Sequence, residues 1–376
     1  MSKTMRKIAI IKNGNGIEQF RKLNGDWQNN SIELMWDINE LRKHYSIVLI
    51  SITSKLKDEC VFENRISLYD ISIYKKNKIH YILRNLIYGF KVLRILNKEK
   101  INFLIISNFK FLNLFLLSSE ILKYKVIPNF SRANQVSDSN FRLIRKYQIS
   151  DVIIPGFMFK SVFDSKGLRV HMRLPRYPDS FYRDIICSDL PNYPFIISFI
   201  GRLIISKGVY EFIFAAIELA KDNYNIGFVV IGEGPEEENI NRIITENSCN
   251  RQICLLGYKN NIEIGSYLRK SNILVFPSYT EGFSKVWIEA IYTETPIILT
   301  KLSGIENLIK DRIHGLYILS GSHRDIVDKI LQLYKDPVWY QKVKINLKML
   351  RNDPIFAKSR NFYENVIEII ENRSTE

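Results

Sequence analysis

The sequence predicts an α/β protein of two tandem Rossmann-like domains with parallel sheets, and three observations carry that prediction. Short apolar runs of strand length alternate with longer amphipathic stretches through both halves, the pattern of repeated βαβ units. A chain of 376 residues is long enough for two full cores. Between the halves, Ser188-Asp189-Leu190-Pro191-Asn192-Tyr193-Pro194 reads as a linker.

The elements follow in order. In the first half the strand-like runs are 7–11, 46–52, 103–107, 125–127 and 151–154. In the second they are 195–200, 227–231, 253–256, 273–276, 296–299 and 315–318. Helical patterns fit between them, for example at 209–220, 235–247, 262–270 and 322–334. The expected organisation is a first domain over 1–185, a second over 195–352 and a tail over 353–376. A final helix, about 356–371, follows Asp353-Pro354 and is expected to pack back towards the first domain.

Composition narrows the class. A hydrophobic content of 46% with 25% charged residues describes an ordinary globular chain. The apolar run near the start, Ile8-Ala9-Ile10-Ile11, is too short for a signal-peptide core and reads as a strand. No run reaches the length of a spanning helix, since 109–122 is broken by Lys110, Asn113, Ser118, Ser119 and Glu120. The expected location is cytoplasmic. Cys60, Cys187, Cys249 and Cys254 lack the paired spacing of a zinc site and read as free thiols. The net charge of +15 is lopsided: residues 1–185 carry 32 Lys+Arg and 16 Asp+Glu, net +16, and residues 186–376 carry net −1. Either the first half meets an anionic partner, such as a membrane surface, or its surface is simply rich in lysine.

The most informative stretch is Pro277-Ser278-Tyr279-Thr280-Glu281-Gly282-Phe283-Ser284-Lys285-Val286-Trp287-Ile288-Glu289-Ala290. A buried strand, 273–276, runs into a loop that Gly282 allows to turn sharply. Ser284 is a candidate N-cap for the helix that follows. The free N–H groups of such a helix start favour an anion. Glu281 stays in the loop, and Glu289 lies about five residues into the helix, ~8 Å along its axis at ~1.5 Å per residue. One carboxylate before an anion pocket and one behind it match a polyol–diphosphate–polyol ligand, the layout of a nucleotide sugar.

Other loops add to this. Ser198-Phe199-Ile200-Gly201-Arg202-Leu203-Ile204-Ile205-Ser206-Lys207-Gly208 ends a strand at Gly201 and sets two cations five positions apart. Arg202 and Lys207 can converge on one diphosphate, or belong to a solvated loop. Val229-Val230-Ile231-Gly232-Glu233-Gly234-Pro235 places two glycines at a βα turn, for a nucleotide or for steric reasons alone. Leu256-Gly257-Tyr258 offers backbone for a base edge and a ring to contact it, or is a surface turn. In Ser303-Gly304-Ile305-Glu306, Gly304 permits close approach to a phosphate or sugar, and Glu306 can orient the loop.

In this order and spacing these elements resemble the donor-binding domain of retaining GT-B glycosyltransferases, specifically glycosyltransferase family 4. The resemblance is strong over about residues 196–320 and weaker before them, where Ile149 to Pro155 and Leu168-Arg169-Val170 resemble the end of the acceptor domain. In Pro175-Arg176-Tyr177-Pro178-Asp179-Ser180-Phe181 only Asp179 and Phe181 echo a family turn. The resemblance implies two domains facing a central cleft, with the last helix crossing back. It implies that Arg202 and Lys207 hold the diphosphate, Glu289 the ribose hydroxyls and Glu281 the donor sugar, with the backbone of Gly282, Phe283 and Ser284 capping the phosphates. The family often has a histidine after the fourth strand of its first domain; here Val126-Ile127-Pro128-Asn129-Phe130-Ser131-Arg132 has none. His44, His80 and His171 read as structural, so no catalytic histidine is assigned.

The expected activity is transfer of a sugar, with retention, from a nucleotide diphosphate sugar. Uridine donors are the family's commonest, and the expected acceptor is a glycan or lipid-linked glycan of a surface polysaccharide. No metal or other cofactor is expected, because Arg202, Lys207 and the helix start can stabilise the leaving charge and the chain has no Asp-x-Asp triplet. On 79–96, Ile79, Ile82, Leu83, Leu86, Ile87, Phe90, Leu93 and Leu96 read as one helix face flanked by Lys78, Arg84, Lys91, Arg94 and Lys98. That face either meets the core or docks on an anionic membrane, making the enzyme peripheral. Competing readings are a non-catalytic nucleotide-sugar-binding subunit, a phosphorylase or epimerase on the same fold, and a nucleic-acid binder. The last has only the sequence pI of 9.4 behind it.

Overall fold

The computed structural model describes residues 5–13, 37–38, 40–53, 58–63, 65–72, 78–107, 112–130, 136–156, 160–174, 187, 189–281, 283–302, 304–353 and 362–375. The chain divides into two compact units, Met1–Arg173 with Arg360–Glu376, and Leu174–Ser359.

In the first unit the strands are β1 (Lys7–Asn13), β2 (Ser46–Thr53), β3 (Glu59–Glu63), β4 (Ile66–Ser72), β5 (Phe103–Ile106) and β6 (Lys125–Pro128). They form one sheet in the order β3-β4-β2-β1-β5-β6, parallel except for the antiparallel edge strand β3. Helices α1 (Lys78–Glu99) and α2 (Leu112–Leu122) lie on one face, and α3 (Asp138–Lys146) follows β6. A parallel pair, β7 (Asp151–Pro155) and β8 (Arg169–Arg173), flanks the short helix α4 (Lys160–Asp164) and touches the end of β6 through a bridge from Asn129 to Ile153.

Both faces of this sheet are covered, which is why its strands are apolar without alternation. On β1, Ala9 and Ile11 pack with Tyr88, Val92 and Leu96 of α1. Ile8 and Ile10 face the opposite way, onto Phe362, Val366, Ile369 and Ile370 of the last helix, α11 (Phe362–Thr375). Its Asn365 donates to the Met172 carbonyl at 3.1 Å, and the Tyr363 N–H to Asp37 at 3.2 Å. The chain's end thus completes the core of the unit that its beginning starts. Strands β3 and β4 were absent from the sequence reading.

The second unit is more regular. Its strands are β9 (Phe195–Ile200), β10 (Ile226–Ile231), β11 (Ile253–Leu255), β12 (Ile273–Phe276), β13 (Ile297–Thr300) and β14 (Gly315–Ile318). All are parallel, in the order β11-β10-β9-β12-β13-β14. Between and after them run α5 (Val209–Lys221), α6 (Glu237–Glu246), α7 (Asn261–Lys270), α8 (Lys285–Tyr292), α9 (His323–Lys335) and α10 (Pro337–Arg351). This is the doubly wound order, which reverses direction between β9 and β12. The stretch read as a linker is partly folded onto this unit. Pro191 and Tyr193 stand where a side chain at Gly227 of β10 would lie, and Asp189 pairs with Lys259 at 2.9 Å.

Removing the phenyl ring of Phe362, fully buried in the first core, tests the role of α11. Phe362→Ala should cost about 3–5 kcal/mol and lower the urea midpoint of the first unit; an unmoved midpoint would show that the helix adds nothing to that core.

Candidate donor-binding site

In a doubly wound sheet the crevice for a ligand opens at the carboxyl ends of the strands where the order reverses. Here that point lies between β9 and β12, and the two loops leaving it carry the charged residues singled out in the sequence. After β9 the chain passes Gly201 and Arg202 into a 3₁₀ turn, Ile205–Lys207, and enters α5 through Gly208. After β12 it passes Pro277, Ser278 and Glu281 into α8.

The two loops are locked together at three points. Gly208 adopts φ 67°, and a Cβ there would stand 2.2 Å from the Pro277 carbonyl oxygen, so only glycine fits. The Tyr279 N–H donates to the Ser206 carbonyl at 3.0 Å. Lys207 Nζ makes a hydrogen-bonded ion pair with Glu281 Oε1, and Ser278 Oγ donates to the same oxygen at 3.0 Å. Lys207 also lies 5.9 Å from the Phe276 ring centroid. Ser278 was missed in the sequence; its place three residues before Glu281 is the only local signal. A further tie, from the Tyr279 hydroxyl to Glu211 of α5, pushes the phenol up to about 12, chiefly through that hydrogen bond.

Arg202 is exposed and, among the described residues, has no carboxylate partner. Ser284 occupies the N-cap position of α8 with extended backbone, but its side chain makes no capping hydrogen bond. The first N–H groups of α8 have no partner within the helix and point where an anion would be held. Phe283 stacks edge-on against Trp287 at 6.0 Å, which fixes the loop over the buried ring. Gly282 lies outside the described residues, as does Ser303. Glu289 is on the inner side of α8, only 2% exposed.

The glycines of the neighbouring loops have packing reasons of their own. A Cβ on Gly232, at φ 138°, would fall 1.9 Å from the Gly201 carbonyl oxygen, and one on Gly234 2.2 Å from that of Leu203. These glycines let the β10 turn rest on the β9 loop, a role the sequence left open beside nucleotide binding. The Gly232 N–H also donates to the Gly257 carbonyl at 2.8 Å, bringing in the loop of Tyr258, whose ring is exposed. Gly304 takes φ 85° in the loop after β13, next to β12 in the sheet. The structure therefore brings Gly201, Arg202, Lys207, Gly232, Gly234, Tyr258, Glu281, Phe283, Ser284 and Gly304 to one edge of one sheet, with Glu289 beneath it.

Elsewhere the candidates scatter. Asn129, where the family's histidine was sought, is buried and donates to Ser107 at 2.9 Å; Ser131 and Arg132 lie outside the described residues. His171 contacts Asp151 at 2.9 Å and Glu368 at 3.4 Å, tying β8 to β7 and α11. All four cysteines are free. Among the described residues no group of three His, Cys, Asp or Glu could hold a metal, and no helix is long and apolar enough to cross a membrane.

Comparison with known proteins agrees with the geometry. Residues 187–349 match the family described as Glycosyl transferases group 1. An uncharacterized glycosyltransferase of Methanocaldococcus jannaschii, MJ1178, is 33% identical over 36% of this chain and 37% of its own. The capsular polysaccharide biosynthesis glycosyltransferase CapM of Staphylococcus aureus is 30% identical over 39% of this chain and 38% of its own. The matches thus span less than half the length of these curated relatives. Among solved structures, Anabaena Alr3699/HepE in complex with UDP superposes with TM-score 0.68 at 14% identity, covering 98% of this chain and 100% of that one. A glycosyltransferase from Rickettsia africae superposes with TM-score 0.69 at 12% identity, covering 98% of both. The chain has the GT-B fold, and its residues 187–349 are similar to the glycosyl transferases group 1 family.

Proposed function

We propose that this chain is a retaining, metal-independent glycosyltransferase that moves a sugar from a uridine diphosphate donor to a glycan or lipid-linked glycan acceptor of a surface polysaccharide. One observation carries the reading: Arg202, Lys207 and the uncapped start of α8 lie on the two loops that leave the switch point of the second sheet. CapM, named for capsular polysaccharide biosynthesis, supports the polysaccharide setting, and the complex of HepE with UDP supports the choice of base. The basic first half suits an acceptor offered at an anionic membrane from the cytoplasmic side.

The chemistry follows from charge. Cleaving the bond between sugar and phosphate leaves positive charge on the sugar and negative charge on the diphosphate. Arg202 would take the diphosphate with its planar fork, Lys207 as a point charge, and the α8 N–H groups would cap it. Without donor, Glu281 neutralises Lys207. An arriving diphosphate competes for that ammonium, which frees Glu281 to accept hydroxyls of the donor sugar. Glu289 would serve the ribose, and the exposed Tyr258 the base. A front-face route, in which the leaving phosphate assists deprotonation of the acceptor, needs only positioning and accounts for retention.

A non-catalytic nucleotide-sugar-binding subunit is the second reading, favoured by the burial of Asn129 where a histidine was sought. Slow hydrolysis of the donor by the purified chain would exclude it.

In a thermal-shift panel of nucleotide diphosphate sugars, a uridine donor at a hundredfold its dissociation constant should add about 2.7 kcal/mol to stability; no shift with any donor would sink the reading. Arg202→Ala and Lys207→Ala should each weaken UDP by about tenfold to a hundredfold, as lost charge-assisted hydrogen bonds do. Glu281→Gln should keep UDP affinity or raise it, since it frees Lys207, while turnover falls about a hundredfold. Equal loss of UDP binding in all three would contradict the division of roles.

A further inference from the structure

The structure splits the helix face read from the sequence on 79–96: Leu96 is buried and Leu93 packs against the core, while two other members turn outward. Tyr88, Val92 and Leu96 of α1 enter the core, whereas Ile87 and Phe90 point outward, 47% and 70% exposed. The side chains of Ile79, Ile82, Leu83 and Leu86 lie outside the described residues. On α2, Leu117 and Ile121 are likewise 51% and 73% exposed. The two helices touch: a Cβ on Gly89 of α1 would stand 2.7 Å from Leu114 of α2. Spacings of three and four residues put each exposed pair on one helix face. Four large apolar side chains thus stand on the outer surface of adjacent helices.

Exposed cations stand on α1 itself and on the helix next to α2. Arg94 and Lys98 are exposed on α1, and Arg142 and Arg145 on α3, which contacts α2. None of the four makes an ion pair among the described residues, although the charge of Lys98 acts on the neighbouring Glu99 carboxylate; Lys98 also lies over the Phe62 ring at 5.7 Å. By contrast Lys91, on the same turn of α1, is paired with Asp58 at 2.6 Å. The exposed carboxylates on α2 and α3, Glu120 and Asp138, leave an excess of positive charge. A protein interface core is depleted of charge, whereas lipid headgroups neutralise a row of unpaired cations and admit apolar side chains between them.

We propose that this α1–α2 face docks on the anionic surface of a lipid bilayer. Phe90, Ile87, Leu117 and Ile121 enter the headgroup boundary, and Arg94, Lys98, Arg142 and Arg145 lie on lipid phosphates. The proposal deepens the proposed function, on which it rests for its purpose: it holds the first unit where a membrane-borne acceptor is offered.

Flotation of the full chain with mixed phosphatidylglycerol–phosphatidylcholine vesicles, against pure phosphatidylcholine, tests it. The intact protein should float with the mixed vesicles at low salt and detach as salt rises. Phe90→Ser with Ile121→Ser should weaken binding at least about tenfold, and Arg94→Gln with Arg145→Gln about 25-fold, at about fivefold per cation. Val338→Ser with Ile345→Ser, on an equally exposed apolar stripe of α10 in the second unit, should change nothing. Vesicle binding that is absent, insensitive to lipid charge, or unaltered in the α1–α2 variants overturns the proposal. So does loss of a self-associated species, rather than of vesicle binding, in the Phe90 and Ile121 variant, which would mark a protein interface. The UDP-induced thermal shift, read on the same samples, reports on folding and on the donor site separately. Vesicle binding without a UDP shift would sink the donor reading and leave this one standing.

Discussion

The bridge from Lys207 to Glu281 is the interaction on which the candidate donor site depends. It joins residues 74 positions apart, one from the loop after β9 and one from the loop after β12, across the point where the sheet reverses its winding. The pair is largely shielded from solvent, with Glu281 the more buried partner, and Ser278 satisfies the same carboxylate oxygen. On the function proposed above, a largely shielded cation with a displaceable carboxylate would be a poised anion site. Glu281 neutralises Lys207 in the structure, which avoids an unpaired, largely buried charge while the proposed diphosphate is absent.

Backbone geometry makes the bridge possible. Gly208 lets the Pro277 carbonyl come close to the start of α5, Gly232 admits the Gly201 carbonyl, and Gly234 that of Leu203. Any side chain at these positions would prise the loops apart and separate Lys207 from Glu281. The glycines therefore act on the chemistry through packing, and a nucleotide need not touch them. Trp287, wholly buried between the rings of Phe276 and Phe283, fixes the other side of the loop and the start of α8.

Much of this was legible in the sequence because the second unit is regular. Ile273–Phe276 and Gly315–Ile318 stand out as short apolar runs between turn residues, and a fully parallel sheet covered on both faces leaves that signature in every strand. The same rule failed for β4. Asp70, Ser67 and Tyr69 interrupt its apolar run, and Asp70 is buried none the less, a tertiary outcome that no local pattern announces. The face of α1 was only partly legible for a related reason. Its apolar residues surround most of the helix, so periodicity alone could not say that Tyr88 turns inward and Phe90 outward. The site was legible as a set of loops and not as a set of contacts. That Lys207 pairs with Glu281, and that Gly232 serves Gly201, depends on which strands become neighbours, and sheet order is a property of the whole unit.

A crystal structure of the chain with UDP tests the central claim most directly. The diphosphate should lie at the start of α8, between the Arg202 guanidinium and Lys207 Nζ, with Lys207 turned from Glu281 to a phosphate oxygen. UDP seated away from the β9–β12 switch point, or bound there with the Lys207–Glu281 pair intact and no phosphate contact from either cation, would contradict it.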